Sequence, residues 1–239
     1  MRLGMMQPYF FPYLGYFSLI HATDCWIVFD TPQYIRRGWV NRNRVLSTGT
    51  VGWKYARVPI ANCDSATPIN EIRIATRSEW QRDLFNSLDA YRIRKAPHYQ
   101  KTISFLQNTL TFPTQNLSDL LVHCLSCCCE HLDLPFHQQT FSNMHLNLPS
   151  ISHAGDWALK TSQSVSAAEY INPPGGRSIF NVEEFEQAKI LLKFLQPALP
   201  AYEQGREQFL PGLSIIDAIM WNSTERVREM IADYELVAA

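Results

Sequence analysis

The chain has 239 residues, with 21 lysine plus arginine against 22 aspartate plus glutamate, a net charge of −1. This length can bury a large core, and the balanced charge excludes the broad electropositive field of a nucleic-acid or anionic-membrane binder, so any anion site must be local. No stretch approaches the roughly 18 uninterrupted apolar residues of a membrane span, and no basic-then-apolar leader opens the chain; with three of the six cysteines consecutive (127, 128 and 129), a disulfide framework is excluded and a soluble cytoplasmic protein with reduced thiols is expected.

Residues 3–6 are a short apolar run stopped by Gln7-Pro8, which predicts a buried first strand closed by a turn. Residues 14–22 place Leu14, Phe17, Leu19 and Ile20 at near-helical spacing, and residues 25–29 are β-rich and end at Asp30. A strand, helix and strand so connected favour a parallel pair, with the turn after strand one beside the end of strand two. Residues 7–15 and 30–33 are therefore expected to share one crevice. Residues 35–47 are basic and polar and read as a loop over that crevice. Residues 52–60 and 69–74 alternate and predict two strands, antiparallel to each other.

A helical segment is predicted over about 78–133. Ser78 is its first N-cap, opening a helix to about residue 90; a second helix follows Pro97, and a third covers 116–132, with Leu117, Leu120, Leu121, Cys124, Leu125 and Cys128 on one face. Beyond it, 136–148 is a mixed strand candidate, 154–168 a helix, 169–171 a short strand running into Asn172-Pro173-Pro174-Gly175-Gly176, 182–188 a helix and 190–195 a strand. A closing helix spans 213–232, begun by Ser214. The alternation predicts an α/β fold: a Rossmann-like, mainly parallel sheet with helices on both faces and an inserted helical layer, as one domain over 1–239.

The run Gln-Pro-Tyr-Phe-Phe-Pro-Tyr-Leu-Gly-Tyr-Phe at 7–17, Asp24, Val-Phe-Asp-Thr-Pro-Gln-Tyr at 28–34 and Trp-Val-Asn-Arg-Asn-Arg at 39–44 resembles the signature of the WbqC-like family. The strand and glycine turn at 170–176 and the helix at 213–222 are similar to that family's tail, although Asn172-Pro173-Pro174 stands where Ser-Gly is more usual. The resemblance implies a role in O-antigen, capsule or natural-product biosynthesis. It points to transfer of an acyl or aminoacyl group, from a carrier-protein thioester or another activated donor, to an amine such as an amino sugar. A second resemblance is to nucleotidylyltransferase-type Rossmann-like folds, whose first turn has the same layout; the histidines those enzymes use there are replaced by Tyr13 and Tyr16.

The candidate site follows from these positions. Gln7 ends strand one, where its amide can donate to or accept from a substrate. Tyr9 and Tyr16 offer phenols and stacking faces. Asp30 at the end of strand two is the candidate base for an attacking amine. With Gln7 and Tyr16 it makes up the catalytic set, and Asn43 joins Gln7 and Tyr16 in positioning the acceptor. Gln33, Tyr34, Trp39 and Asn41-Arg42-Asn43-Arg44 combine amides, aromatics and guanidinium forks suited to phosphate or carboxylate. Gly175, Gly176 and Arg177 add a second anion-holding turn. The dull alternatives are turn caps for Gln7, packing for the tyrosines, an Asp30 ion pair to Arg42 or Arg36, and a solvated loop for the arginines. Cys124 and Cys127 have CxxC spacing beside His123, but no second ligand pair follows, and the cysteines are read as packing. No metal or cofactor is expected. The expected partners are a small amine and an acyl or peptidyl carrier protein, with no nucleic acid. Two further readings stay open: a non-catalytic module that binds a carrier protein or a biosynthetic complex, and a nucleotidyl-transferring enzyme.

Overall fold

The computed structural model describes residues 1–75 and 79–239. β1 (Arg2–Met6), α1 (Leu14–His21) and β2 (Cys25–Val28) form the expected unit, with β1 and β2 parallel and Leu3 opposite Cys25. They sit in a six-stranded sheet with β5 (Gln138–Thr140), β6 (Glu169–Asn172), β7 (Leu191–Pro197) and β8 (Tyr234–Ala238), in the order β5-β2-β1-β6-β7-β8. Every pairing is parallel except β7 with β8.

Successive strand side chains point to opposite faces, and both faces are buried. Trp26, Val28, Ile171 and Leu195 join the larger core with α1 and the helical layer. Leu3, Met5, Ile27, Tyr170, Leu192 and Phe194 pack on the other side, against α7 (Asp156–Ser164) and α8 (Val182–Gln187). Burial on both faces explains why these strands read as nearly continuous apolar runs. The fold is a Rossmann-like α/β arrangement with a mostly parallel sheet.

The helical layer consists of α2 (Trp80–Asn86), α3 (Asp89–Ile93), α4 (Tyr99–Thr109) and α5 (Leu117–His131). The first predicted helix is split at Ser87 and Leu88, and its proposed cap, Ser78, lies outside the described residues. Asn116 caps α5 by accepting from the Asp119 amide. Among the described residues no helix is long and apolar enough to cross a membrane.

Four expectations need correction. Residues 35–47 are not all loop: β3 (Arg42–Leu46) pairs antiparallel with β4 (Trp53–Arg57) in a separate hairpin. Residues 69–74 form no continuous strand, and the expected antiparallel pairing with 52–60 is reduced to a single bridge between Ile60 and Ile74. Ile69–Glu71 is a 3₁₀ turn, because Pro68 precedes it and the amides of Ile69 and Asn70 bond back to Pro32 and Asp30 carbonyls. Residues 136–148 give the three-residue β5 and then α6 (Phe141–Met144). The closing helix is two helices, α9 (Ile215–Trp221) and α10 (Thr224–Ala232), divided where Asn222 turns extended and Ser223 caps α10. β8 follows it and was not expected.

Candidate functional site

Open α/β sheets take ligands at the carboxyl ends of the strands, where neighbouring strands send their connections in opposite directions. In this sheet that point lies between β1 and β6, since β1 leads through α1 to β2 on one side and β6 through α8 to β7 on the other. A crevice of about 610 Å³ opens there. Met5 and Met6 from β1, Gln7 just after it, and Tyr170 and Asn172 from β6 line it, with Phe29, Trp157 and Phe180 as aromatic walls. Ile35 and Ile179 also line it and remain 62% and 46% exposed. A mostly apolar pocket with a few polar groups at one end is the usual form of a small-molecule site.

The polar groups are amides. The Tyr170 hydroxyl donates to Asn172 Oδ1 at 3.2 Å, and Asn172 Nδ2 donates to the Pro173 carbonyl at 3.0 Å. Glycine at 176 leaves Asn172 in this position, because a Cβ there would sit 2.2 Å from Asn172 Nδ2 and the amide would have to shift. The Gln7 side chain has no hydrogen-bond partner among the described residues and is free to meet a ligand, while its carbonyl accepts from the Tyr16 hydroxyl at 2.9 Å. Tyr9 lines the crevice beside it, and burial raises its phenol pKa, which keeps it protonated.

The turn that carries Gln7 and Tyr9 is tied down from far along the chain. Phe10 and Phe11 are fully buried, and Phe11 adopts a left-handed backbone with φ 42°, a conformation that costs on the order of 1 kcal/mol and persists only when neighbours impose it. Ser214 Oγ donates to the Phe11 carbonyl at 2.6 Å, the Ile215 amide to Pro12 at 2.7 Å, and the Phe10 amide to Val40 at 3.0 Å. Gly15 lets the Tyr13 ring lie across the start of α1, where a Cβ would meet it at 2.6 Å.

The predicted site residues divide. Gln7, Tyr9, Gly175 and Gly176 share the crevice. Tyr16 is behind the wall, 3% exposed, packed by Tyr9, Phe17 and Trp26; burial holds its phenol well above the usual range, so it braces Gln7. Asp30 is 1% exposed, and its carboxylate accepts from the Ser142 amide at 3.0 Å, Ser142 Oγ at 2.7 Å and Ser118 Oγ at 3.5 Å. An open base at Asp30 does not fit this placement; the carboxylate anchors the start of α6 to the end of β2.

The basic segment is likewise engaged in structure. Tyr34 donates to Asn41 Oδ1, and Asn41 Nδ2 to the Val58 carbonyl, both at 2.7 Å. Asn43 Oδ1 accepts from the Arg44 amide. Gln33 reaches the Ser65 carbonyl. Arg42 stacks on Tyr55 at 4.0 Å and donates to the Gly38 and Arg37 carbonyls, while Arg44 lies over Trp39 and Trp53 and donates to Gly212 at 2.9 Å. Arg177 stacks on Phe194 and donates to Ala238. None of these arginines lines the crevice. The walls that sequence reasoning missed, Phe29, Trp157, Asn172, Ile179 and Phe180, are apolar or amide residues indistinguishable in sequence from core; Trp157 had no signal beyond its place on a predicted helix.

Beside the crevice, His153 Nε2 lies 3.4 Å from Asp156 and 3.3 Å from Glu184. The three groups are close enough for a cation. Their other contacts favour a clasp instead. His153 Nδ1 accepts from the Gly155 amide at 3.2 Å, which leaves the ring proton on Nε2 facing the carboxylates. Asp156 also takes Lys160 Nζ at 2.7 Å and the Ser152 amide at 2.6 Å, and Lys160 first, then Ser152, lower its pKa to about 2. The cluster fastens the beginning of α7 to α8.

The pattern of the WbqC-like protein family matches residues 7–229. Uncharacterized protein Rv1507c of Mycobacterium tuberculosis (strain ATCC 25618 / H37Rv) is 24% identical over 220 residues, covering 91% of this chain and 92% of that protein. No solved structure matches.

Proposed function

The chain belongs to the WbqC-like protein family, and from that premise and the shape of its crevice we propose that it is a small-molecule biosynthetic transferase moving an acyl or aminoacyl group from a thioester or similar donor to an amine. The observation that carries this reading is the crevice itself: an apolar, aromatic-walled channel at the strand ends, with the unpartnered Gln7 amide and the Tyr9 phenol in its lining. An acyl chain matches the walls, and burying it contributes about 25 cal/mol per Å² of apolar surface. The Gln7 amide suits the carbonyl at the chain's end, where a donor aimed at the developing oxyanion favours the transition state.

In the proposed step the amine nitrogen attacks the thioester carbon, the C–N bond forms and the C–S bond breaks. The protonated Tyr9 phenol donates a hydrogen bond to the leaving sulfur and keeps its proton, while the proton lost by the amine passes through water at the open mouth of the crevice to the thiolate or to solvent. Asp30 positions α6 and takes no part in proton transfer. Nucleotidyl transfer is disfavoured, because among the described residues no arginine or lysine lines the crevice to meet a triphosphate. The sealing of Asp30 favours a second reading, in which the same crevice binds an apolar ligand or a carrier-borne chain without turning it over.

Incubation with acyl thioesters, free and on carrier proteins, and a panel of small amines, read by mass spectrometry, separates the two. N-acyl product that falls at least about tenfold in Gln7→Ala supports the transferase. Saturable binding with no product supports the binding module, and neither binding nor product would remove the crevice from the argument.

A further inference from the structure

Charge is spread unevenly along this chain. Residues 31–63 hold Arg36, Arg37, Arg42, Arg44, Lys54 and Arg57 and no aspartate or glutamate, which leaves 15 of the 21 basic residues and all 22 acidic ones to the rest of the chain. Among the described residues seven lysine or arginine side chains elsewhere make ion pairs, and none of these six does. Asp83 lines a polar cavity with Arg57 and still makes no ion pair with it. The arginines that are anchored bond to carbonyls, which position a guanidinium without neutralising it: Arg36 donates to Cys63 at 2.8 Å, Arg42 to Gly38 at 3.0 Å and Arg44 to Gly212 at 2.9 Å. The charge is therefore held in place and left unpaired.

The β3-β4 hairpin concentrates it. Arg42 stands directly opposite Arg57, so both side chains leave the same face, and like charges so placed destabilise a sheet. Arg44, opposite Tyr55, shares that face, and Arg36, Arg37 and Arg57 are exposed. The Arg42 guanidinium lies over Tyr55 and that of Arg44 over Trp39 and Trp53, which occupies the ring faces on which nucleic-acid bases would stack. The lobe adjoins the crevice. Pro32 and Ile35 line it, Ile35 is exposed directly before Arg36 and Arg37, and the exposed Ile179 lines the same opening. Exposed apolar residues bordered by unpaired charge of one sign suit protein docking, and the acidic face of a partner complements this surface.

We propose that residues 31–57 dock an acidic carrier protein beside the mouth of the crevice. Carboxylates of the partner meet Arg36, Arg37 and Arg57, an apolar side chain at its centre meets Ile35, and the chain it bears enters the crevice past Gln7 and Tyr9. What becomes of that chain rests on the transferase reading; the docking does not, since a crevice that only binds would receive the same partner. A carboxylate set between Arg42 and Arg57 relieves their repulsion, and six unpaired positive charges steer an acidic partner toward this face. A small uncharged thioester carries no such carboxylates and gains nothing from the lobe.

Calorimetric titration of the full chain with holo acyl and peptidyl carrier proteins, bearing no acyl group, reads docking without turnover. The expected result is saturable binding to one of them that weakens at least about tenfold as salt rises from about 0.1 to about 1 M and the Debye length falls from about 10 to about 3 Å. The Arg37→Glu/Arg57→Glu double variant should bind at least about tenfold more weakly and lose most of that salt dependence, with its fold kept by circular dichroism. Arg57→Glu alone should not lower Tm, because it turns a like-charged pair with Arg42 into an opposite one. In a kinetic arm the double variant should lower kcat/KM for the carrier-borne thioester by the same factor and leave that for the same acyl group on N-acetylcysteamine unchanged. Carrier binding without product keeps the docking surface and removes the transferase, and product from the small thioester without carrier binding does the reverse. The docking surface is overturned if carrier binding is absent, indifferent to salt or unaffected by charge reversal, or if a single-stranded oligonucleotide binds the lobe more tightly than the carrier.

Discussion

Replacing Asp30 with asparagine removes a charge from a buried carboxylate while keeping its shape. In the wild type the two oxygens accept from the Ser142 amide, Ser142 Oγ and Ser118 Oγ. Hydrogen bonds to a charged acceptor contribute about 1.5–3 kcal/mol each. The 3.5 Å contact to Ser118 is too long to contribute much. Asparagine retains one acceptor oxygen, and its Nδ2 can donate to a serine hydroxyl, so one charge-assisted bond is lost in full. The expected destabilisation is about 2 kcal/mol, or a fall in Tm of about 4–8 °C for a chain of this size. Thermal and urea unfolding measure it, and hydrogen exchange at the Ser142 amide should accelerate selectively. Coupling can be checked in a double-mutant cycle with Ser142→Ala, where the two losses should not add because both remove the same contact. An Asp30→Asn protein with wild-type stability and exchange, yet no turnover, would refute this reasoning and return Asp30 to the role of base.

Asp217 is fully buried, and desolvation outweighs hydrogen bonds from Tyr202 at 2.6 Å and Gln204 at 2.8 Å to raise its pKa from 3.8 to about 6. The folded state thus holds its proton more tightly than the unfolded chain; the contribution is fully present below about pH 4 and about 3 kcal/mol of it is lost as pH rises through 6. Asp217→Asn should flatten stability between pH 4 and 7, and an unchanged slope would show that another group titrates. Gly176→Ala forces its Cβ against Asn172 Nδ2 and should weaken crevice ligands about tenfold, one lost hydrogen bond's worth, whereas Gly175→Ala, with nothing within 4 Å, should leave binding unchanged by calorimetry. Ser214→Ala removes both the α9 cap and the donor to Phe11, for about 2 kcal/mol in chemical unfolding; a loss under about 0.5 kcal/mol would mean that the turn is held without it.

Local chemistry made much of the fold legible. The β1-α1-β2 unit, α4, α5, α8 and β7 follow from apolar spacing and from turn residues such as Pro97, all of which act within a few residues. One wall of the crevice followed as well, because the turn after β1 brings Gln7 and Tyr9 to the sheet's carboxyl edge; its opposite wall comes from β6 and the 173–180 segment, and not from Asp30, Gln33 and the basic segment as expected. Where local pattern and pairing disagreed, the reading failed. β3 alternates half-exposed arginines with a buried asparagine in a small hairpin and looked like a loop, and the edge strand β8 has too few buried side chains to declare itself. Ile69, Ile72 and Ile74 alternate as a strand would, yet the Ile69 amide bonds to Pro32, the Ile72 amide to Ile69 and the Ile74 amide to Gln115, which gives a turn and no strand ladder.

Side-chain roles were decided by partners that the sequence does not place. Asp30 became an anchor through Ser142, 112 residues away, and Arg44 a staple through Gly212, 168 residues away. Phe29 and Trp157, half-buried, and Ile179, exposed, became crevice walls by their place at the strand ends, although by composition they belong to the core. Cys127 separated from its three neighbours through its position on the outer face of α5. The sequence by itself determined the parallel pairing of β1 with β2 and the mostly parallel α/β class of the sheet. Only the tertiary structure decided which donors were left unsatisfied, because a hydrogen-bonding group is free for a ligand only after every group folded against it has been placed.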